Sequence, residues 1–241
     1  MSTGFDAAQA LRPRGLRIFG WFALLFFFAS QASGVILSAP DRDMGHLQKI
    51  LYVHVPSAWM SLVGYTVVFG FSIMYLWKRD LKWDMLAAAC AEVGVVFAGL
   101  ALLTGSIWGR PTWGIWWTWD ARLTSMAVLF IMYAGYLALR ALTDDEGRRA
   151  RWSAAIALLG FLNTYIVYMS VRWWRTLHQV QSSPSTVDPQ YVLFLRLNAF
   201  AFLFFFIWFA VSRYRAARLT REIEARVEER ALRPHTEGIH V

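Results

Sequence analysis

Two of the five histidines in this 241-residue chain lie where an imidazole could bind a metal. His54 lies two residues before Pro56, and because proline is favoured in the first turn of a helix, we expect this ring at the end of an apolar segment. His178 follows W-W-R-T-L at the end of another such segment. A neutral imidazole is a common ligand of transition metals, so the pair could hold one ion, although either ring could equally bind nothing. The other three lie in polar stretches and are predicted to be solvated: His46, His235 and His240.

A tryptophan-rich segment, W-G-R-P-T-W-G-I-W-W-T-W-D at residues 108–120, lies between these two histidines in the chain. It contains five of the 13 tryptophans: Trp108, Trp113, Trp116, Trp117 and Trp119. Gly109, Pro111 and Gly114 predict that a long regular element does not continue here, so we expect the indoles on an irregular or briefly helical surface. Indoles also gather at membrane interfaces, but five in one segment exceed that expectation and favour a surface for a large flat ligand.

A haem would use both features. Its iron takes axial histidines, and its porphyrin packs against aromatic side chains. Its propionates need cations, and we expect three guanidinium groups on the same side: Arg110, Arg122 and Arg175. The single cysteine, Cys90, lies within an apolar segment, so the sequence offers neither a disulfide nor a cysteine pair for covalent haem attachment.

Asp120 ends the tryptophan-rich segment, and three roles are open to it. It could cap the helix that follows, pair with Arg122, or orient a ligand histidine through a hydrogen bond. The residue types alone do not choose between these roles.

The elements that position these residues are predicted to be membrane helices. The chain is 57% hydrophobic and 17% charged, with a mean hydropathy of +0.39, which is typical of an integral membrane protein. Each long apolar run is suited to a helix that satisfies its own backbone hydrogen bonds. We therefore predict an all-α bundle of six transmembrane helices, at residues 16–37, 55–77, 85–107, 124–139, 153–171 and 191–211.

The basic residues predict the orientation of this bundle. If both termini face the cytoplasm, most of the 24 lysines and arginines lie on the cytoplasmic side, among them Arg12 and Arg233. This accounts for the net charge of +8 without a nucleic-acid partner. The prediction divides the chain into a cytoplasmic N-terminus (1–15), a six-helix haem-handling domain (16–212) with residues 108–123 outside, and a charged cytoplasmic tail (213–241).

Two further features concern possible contacts of this chain. In the tail, Leu219, Ile223 and Val227 are spaced four apart, which predicts a mostly solvated cytoplasmic helix that could contact a partner. Within the third apolar run, Glu92 is costly in hydrocarbon, so it must be protonated, paired or in contact with another subunit. We favour the contact with a subunit.

The motifs resemble a known family. W-G-R-P-T-W-G-I-W-W-T-W-D-A-R-L-T-S is similar to the WWD signature of haem-handling proteins in cytochrome c maturation. Y-V-H-V-P-S-A-W and W-W-R-T-L-H-Q, with six spans, resemble specifically the CcmC type. The resemblance covers the spans from about residue 16 to residue 211.

This resemblance implies a site and a set of partners. His54 and His178 would be the axial ligands of a transiently held, non-covalent haem b. The platform for the haem and the contact with its chaperone would be formed by Trp113, Trp116, Trp117, Trp119 and Asp120. CcmC-type proteins sit in the bacterial inner membrane and present haem on its periplasmic face to the haem chaperone CcmE. Their other partners are the ATP-binding-cassette pair CcmA and CcmB and the small subunit CcmD.

The chain departs from the family ahead of its second histidine. Where relatives carry Asn-x-Pro and an acidic residue, it has Thr164, Tyr165 and Arg172, which leaves the bend of the fifth helix open. Catalysis in the strict sense is not indicated, because the sequence has no Ser-His-Asp arrangement, zinc signature or phosphate loop. The alternative function is a membrane electron carrier of cytochrome b type or a haem-linked oxidoreductase.

Overall fold

The structure is a computed structural model that describes residues 13–180 and 186–232. The N-terminal 12 residues, residues 181–185 and residues 233–241 lie outside the described part. Four residues with predictions attached therefore lie outside it as well: Arg12 and Arg233, predicted to be cytoplasmic, and His235 and His240, predicted to be solvated.

Six long α-helices form the described part of the chain. They are α1 Arg14–Leu37, α2 Leu51–Lys78, α3 Leu81–Trp113, α4 Ala121–Ala141, α5 Glu146–Trp173 and α6 Pro189–Leu232, with a short 3-10 helix at His46–Ile50 before α2. All six are long and apolar enough to cross a membrane. The predicted all-α bundle of six transmembrane helices is confirmed, and the chain is a multi-pass membrane protein.

Small residues let α2 and α3 approach closely at the centre of the bundle. A Cβ atom added to Gly64 would lie 3.6 Å from the Cα of Gly94. Beside this contact, the buried rings of Tyr65 and Tyr133 stack with centroids 3.6 Å apart, which ties α4 to the pair. Small residues at helix interfaces are a general feature of membrane bundles, where van der Waals contact drives association.

Pro56 lies within α2 rather than in its first turn, because the helix begins at Leu51. Pro56 has no N–H group, so the carbonyl of Tyr52, four residues earlier, loses its usual helical donor. The side-chain amide of Gln31 in α1 donates to this carbonyl at 3.2 Å. The proline therefore creates a link between α1 and the helix turn that carries His54.

The prediction that Gly109 and Pro111 interrupt the third helix is wrong, because α3 runs through both residues to Trp113. Pro111 lies in the last turn, where its missing N–H removes only one helical hydrogen bond. The helix ends instead at Gly114, which adopts φ 79° and donates its N–H to the carbonyl of Arg110 at 3.0 Å. A left-handed residue at this position is the ordinary helix terminator, and glycine adopts it without strain.

The fifth helix ends before it reaches His178. Trp174 has an extended backbone (φ −126°, ψ 158°), and the residues from 174 to 180 are irregular. Upstream, α5 continues unbroken past Thr164, whose hydroxyl donates to the carbonyl of Gly160 at 3.0 Å. The departure from the family pattern at Thr164 and Tyr165 therefore does not interrupt α5.

Ion pairs between charged side chains link the helices near the end of the bundle where α3 begins and α4 ends. Arg140 donates to both carboxylate oxygens of the buried Asp84, at 2.6 and 2.9 Å. Glu92 pairs with Arg213 of α6, one of the roles expected for it, and the contact with another subunit that we favoured stays a prediction. Helix α6 continues without a break into the predicted tail helix as far as Leu232.

Candidate functional site

A pocket opens at the end of the bundle where α2 begins and α3 ends, which we call the site end. It encloses about 980 Å³ of empty space, part of it open to the outside. Six of the predicted site residues line it: His54, Trp108, Trp113, Trp117, Arg122 and His178. Apolar neighbours such as Val55, Leu62, Leu102 and Met126 complete most of its wall.

The two histidines face a common space from different elements. His54 lies in the first turn of α2, and His178 lies in the irregular segment after α5. Their ring centroids are 6.2 Å apart, with the ring planes inclined by 33°. Two imidazoles that bind one metal from opposite sides, each with its nitrogen about 2 Å from the metal, have ring centroids about 6 Å apart. The separation therefore suits two axial ligands of one metal.

The His178 ring has a defined tautomer. Its Nδ1 lies 2.9 Å from the carbonyl oxygen of Gln179, and because a carbonyl only accepts, Nδ1 carries the proton. Nε2 is then the nitrogen with a free lone pair. Burial, with the Arg122 guanidinium close by, lowers the pKa of His178 below its usual 6.5. The ring is therefore neutral and able to bind a metal at neutral pH.

Asp120 connects the tryptophan-rich segment to the segment that carries His178. One carboxylate oxygen accepts from the Leu123 N–H at 2.9 Å and so caps α4. The other accepts from the Thr176 hydroxyl at 3.0 Å and from the Leu177 N–H at 3.3 Å. The backbone N–H of His178 in turn donates to the Thr176 hydroxyl oxygen at 2.9 Å. Asp120 thus caps a helix and also holds the backbone before His178.

Two indoles of the segment pack edge to face with the histidines. The rings of Trp108 and His54 have centroids 5.8 Å apart, and those of Trp113 and His178 are 6.2 Å apart. The indole N–H groups of Trp108 and Trp117 are buried and have no hydrogen-bond acceptor among residues 13–180 and 186–232. A buried donor without a partner is costly, so both are candidates to bind a polar group of a ligand.

The structure places the other five predicted site residues outside the pocket wall. Trp116 and Trp119 are 58% and 80% exposed at the site end. Arg110 donates to the carbonyl of Gly114 at 2.7 Å, and Arg175 is exposed. Asp120 accepts hydrogen bonds from the segment that carries His178 and does not line the pocket. Of the three arginines, only Arg122 lines the pocket, where it also donates to the carbonyl of Val167 at 3.3 Å.

Three residues of the site were missed from the sequence. The Thr104 hydroxyl lies 3.1 Å from Nδ1 of His54, and Gly105 lies directly against the same ring. Both precede Trp108 by one helical turn, a spacing that puts them on the same face of α3 and could have identified them. Met44 lines the pocket from the loop before α2, where the Asp41 carboxylate accepts its N–H at 3.0 Å. The sequence carries no signal for Met44.

The chain was compared with known protein families and curated proteins. The family model described as Heme exporter protein C matches residues 6–229. Heme exporter protein C of Bradyrhizobium diazoefficiens is 41% identical over 194 residues, 78% of this chain and 73% of the relative. The protein of the same name from Escherichia coli is 35% identical over 222 residues, 88% of this chain and 90% of the relative.

A mitochondrial relative extends the comparison beyond bacteria. A ccmC-like protein of Marchantia polymorpha, named for cytochrome c biosynthesis, is 37% identical over 142 residues, 59% of this chain and 60% of the relative. The family match spans nearly all of the described bundle, including the pocket and both of its histidines. The chain therefore belongs to the Heme exporter protein C (CcmC) family.

Proposed function

We propose that this protein binds haem at the site end and presents it to a haem chaperone of the CcmE type during cytochrome c maturation. The observation that carries the proposal is the pair of imidazoles, His54 and His178, 6.2 Å apart across a pocket lined by indoles. Membership of a family described as a haem exporter supports it. The haem is cargo, held without a covalent bond.

The residues of the pocket fit such a cargo. Its mostly apolar wall suits the porphyrin, and two neutral imidazoles suit the iron. Arg122 supplies a cation, and the unpaired N–H groups of Trp108 and Trp117 supply donors for the propionates. The exposed indoles of Trp116 and Trp119 lie outside the pocket, where a chaperone could contact them.

The location of both histidines bears on the alternative function. An electron carrier of cytochrome b type places pairs of histidines within the bilayer to move electrons across it. Here both rings lie at one end of the bundle, which favours presentation of a cargo over electron transfer through the membrane.

Haem titration of the purified full chain in detergent tests the ligand assignment. We expect a low-spin haem spectrum that is lost in His54→Ala and in His178→Ala. His46→Ala is the matched control, because His46 is a histidine of the same outer region that does not line the pocket. A low-spin spectrum that survives both pocket substitutions would contradict the proposal.

A second experiment separates haem binding from transfer. Trp117→Ala removes a pocket wall and should weaken haem binding, whereas Trp119→Ala, at an 80% exposed position, should leave binding unchanged and slow transfer to a CcmE-type chaperone. Transfer at the normal rate by Trp119→Ala would argue against this indole as a chaperone contact. The same assay with CcmA, CcmB and CcmD present tests the proposed complex.

The proposed periplasmic position of the site can be tested by labelling. Cys90 is the only cysteine and is buried, so a membrane-impermeant maleimide should not label the parent protein in intact cells. We expect Trp119→Cys to be labelled from outside. Asp144→Cys, between α4 and α5 at the opposite end, should be labelled only after the cells are opened. The reverse pattern would place the site on the cytoplasmic side.

A further inference from the structure

The Thr104 hydroxyl has one proton to donate and lies within hydrogen-bond distance of two backbone carbonyls, those of Leu100 and Ala101, and of the His54 imidazole. Its oxygen is 2.6 Å from the carbonyl oxygen of Leu100, one turn earlier in α3, and 3.1 Å from Nδ1 of His54 in α2. A carbonyl oxygen can only accept, whereas a neutral imidazole nitrogen either donates or accepts. The two distances therefore report which way each hydrogen bond runs.

The shorter contact takes the hydroxyl proton. A distance of 2.6 Å lies at the short end of the range for O–H···O hydrogen bonds, so the Thr104 hydroxyl donates to the Leu100 carbonyl. Its oxygen is then left to accept from His54, and the proton of that bond must reside on Nδ1. The Nε2 atom of His54 is the nitrogen with the free lone pair.

Gly105 fixes the plane of the same ring. A Cβ atom at this position would lie 2.9 Å from Cε1 of His54, closer than real Cβ atoms approach another carbon. The imidazole thus lies against the backbone of α3, and Trp108, one turn later, packs edge to face with it. Helix α3 therefore provides both the hydrogen bond to the His54 ring and, at Gly105, the backbone surface against which the ring packs.

We propose that Thr104 is a positioning residue that holds His54 in its Nδ1-protonated tautomer, so that Nε2 is available to iron. The inference rests on the proposed haem role of His54. It makes the two ligands differ in support, because His178 uses the backbone carbonyl of Gln179 and His54 uses a side-chain hydroxyl. The hydroxyl that accepts from the His54 ring can be removed by changing one side chain, whereas the carbonyl that accepts from the His178 ring belongs to the backbone. The Ala101 carbonyl, a second acceptor near the His54 ring, remains in such a variant.

Three variants test this role. Thr104→Val keeps the shape of the side chain and removes the hydroxyl, and Thr104→Ser restores the hydroxyl. Thr66→Val is the matched control. The Thr66 hydroxyl also donates to the carbonyl four residues earlier, at 2.8 Å from Leu62, but within residues 13–180 and 186–232 it makes no hydrogen bond to an imidazole. All three are made in the full chain and checked for folding by size-exclusion chromatography.

The first readout needs no haem. In the cargo-free protein with ¹⁵N-labelled histidine, the NMR shifts of His54, assigned with His54→Gln, should report a protonated Nδ1 in the parent, in Thr104→Ser and in Thr66→Val. In Thr104→Val they should move toward a mixture of tautomers. Unchanged shifts in Thr104→Val would overturn the inference.

The second readout uses haem. Loss of such a hydrogen-bond partner typically weakens metal binding about 10- to 100-fold, and we expect that loss in Thr104→Val, with recovery in Thr104→Ser. Equal affinities in Thr104→Val and Thr66→Val would also overturn the inference. The proposed function has a separate test: it is contradicted if His54→Ala binds haem with an unchanged spectrum. The NMR result on Thr104 does not depend on that outcome.

Discussion

Asp120, the last residue of the tryptophan-rich segment, accepts a hydrogen bond at 3.0 Å from Thr176, 56 positions later in the chain. Through this contact the segment before α4 and the segment after α5 become one surface. The same carboxylate caps α4, so the position of His178 depends on where that helix starts. Asp120 therefore positions the segment of His178 and does not itself line the pocket.

Replacing Asp120 with Asn should therefore loosen the His178 segment without unfolding α4. Asparagine is as good a helix cap as aspartate, but its NH₂ group cannot accept from Thr176 and Leu177. We expect haem affinity to fall about 10- to 100-fold, as for loss of the outer support of a metal ligand. Haem titration measures the affinity, and amide hydrogen exchange should show faster exchange at residues 176–178.

Thr176→Val is the matched variant for this prediction. It removes one of the two bonds from the segment to Asp120 and the acceptor of the His178 N–H. We expect the same faster exchange at residues 176–178. Parent-like exchange in both variants would mean that Asp120 does not hold the segment.

Gly105→Ala should displace His54 while the bundle stays folded. The new methyl group would meet Cε1 of the ring at 2.9 Å, and a side chain can move aside more easily than backbone. We expect a haem spectrum with altered axial ligation and a parent-like unfolding midpoint. Gly135→Ala is the control, since a Cβ there meets no atom of the described residues within 4 Å. Identical haem spectra in both variants would show that the close contact between Gly105 and the His54 ring has no role in haem binding.

The pH dependence of haem binding should reflect His178. Its pKa is lowered, so the ring stays neutral and able to bind iron as the pH falls below the usual 6.5, and this ability is lost only when the pH falls through the lowered pKa. Arg122→Gln removes one cause of the lowering, so the pKa should rise and the loss should occur at higher pH. NMR titration of His178 in the cargo-free protein measures this directly. Arg175→Gln, an exposed arginine outside the pocket, should leave the titration unchanged.

Arg140→Leu should destabilise the bundle without altering the site. The side chain of Asp84 is only 5% exposed and would lose its bidentate partner. Breaking a buried ion pair in this way costs about 3 to 5 kcal/mol, so the midpoint of denaturant unfolding should fall clearly. Replacing both Asp84 and Arg140 by leucine should recover much of the loss. Arg218→Gln, which breaks an exposed pair with Glu222, should have no measurable effect, and an equally large fall there would contradict this reading.

The helices could be predicted from the sequence because each depends on a local property, a long apolar run. Their ends could not, since they depend on single backbone groups. Pro111 looks like a helix breaker, yet in the last turn of α3 it removes only one hydrogen bond, and Gly114 is the actual terminator. At Pro56 the freed carbonyl of Tyr52 is satisfied from another helix, a contact that no local pattern reveals.

The site was predictable as far as its residue types are unusual. Histidines at the ends of apolar runs and clustered indoles are rare enough to identify, and the structure brings six of these residues to one pocket. Thr104 and Gly105 are ordinary residues in an apolar run, and their contact with His54 depends on how α2 and α3 pack. Arg110 and Arg175 have the right charge, but one bonds the end of its own helix and the other faces outward.

The two imidazoles belong to segments that differ in how firmly they are packed. His54 is part of a 28-residue helix and lies against a second helix, whereas His178 is held by a few hydrogen bonds in an irregular segment. Local opening costs least where few buried contacts must break. If the protein presents haem as proposed, the bond from the iron to His178 should therefore break first during transfer, and the opening of that segment should set the rate of release. His54 would then be the last contact between donor and cargo.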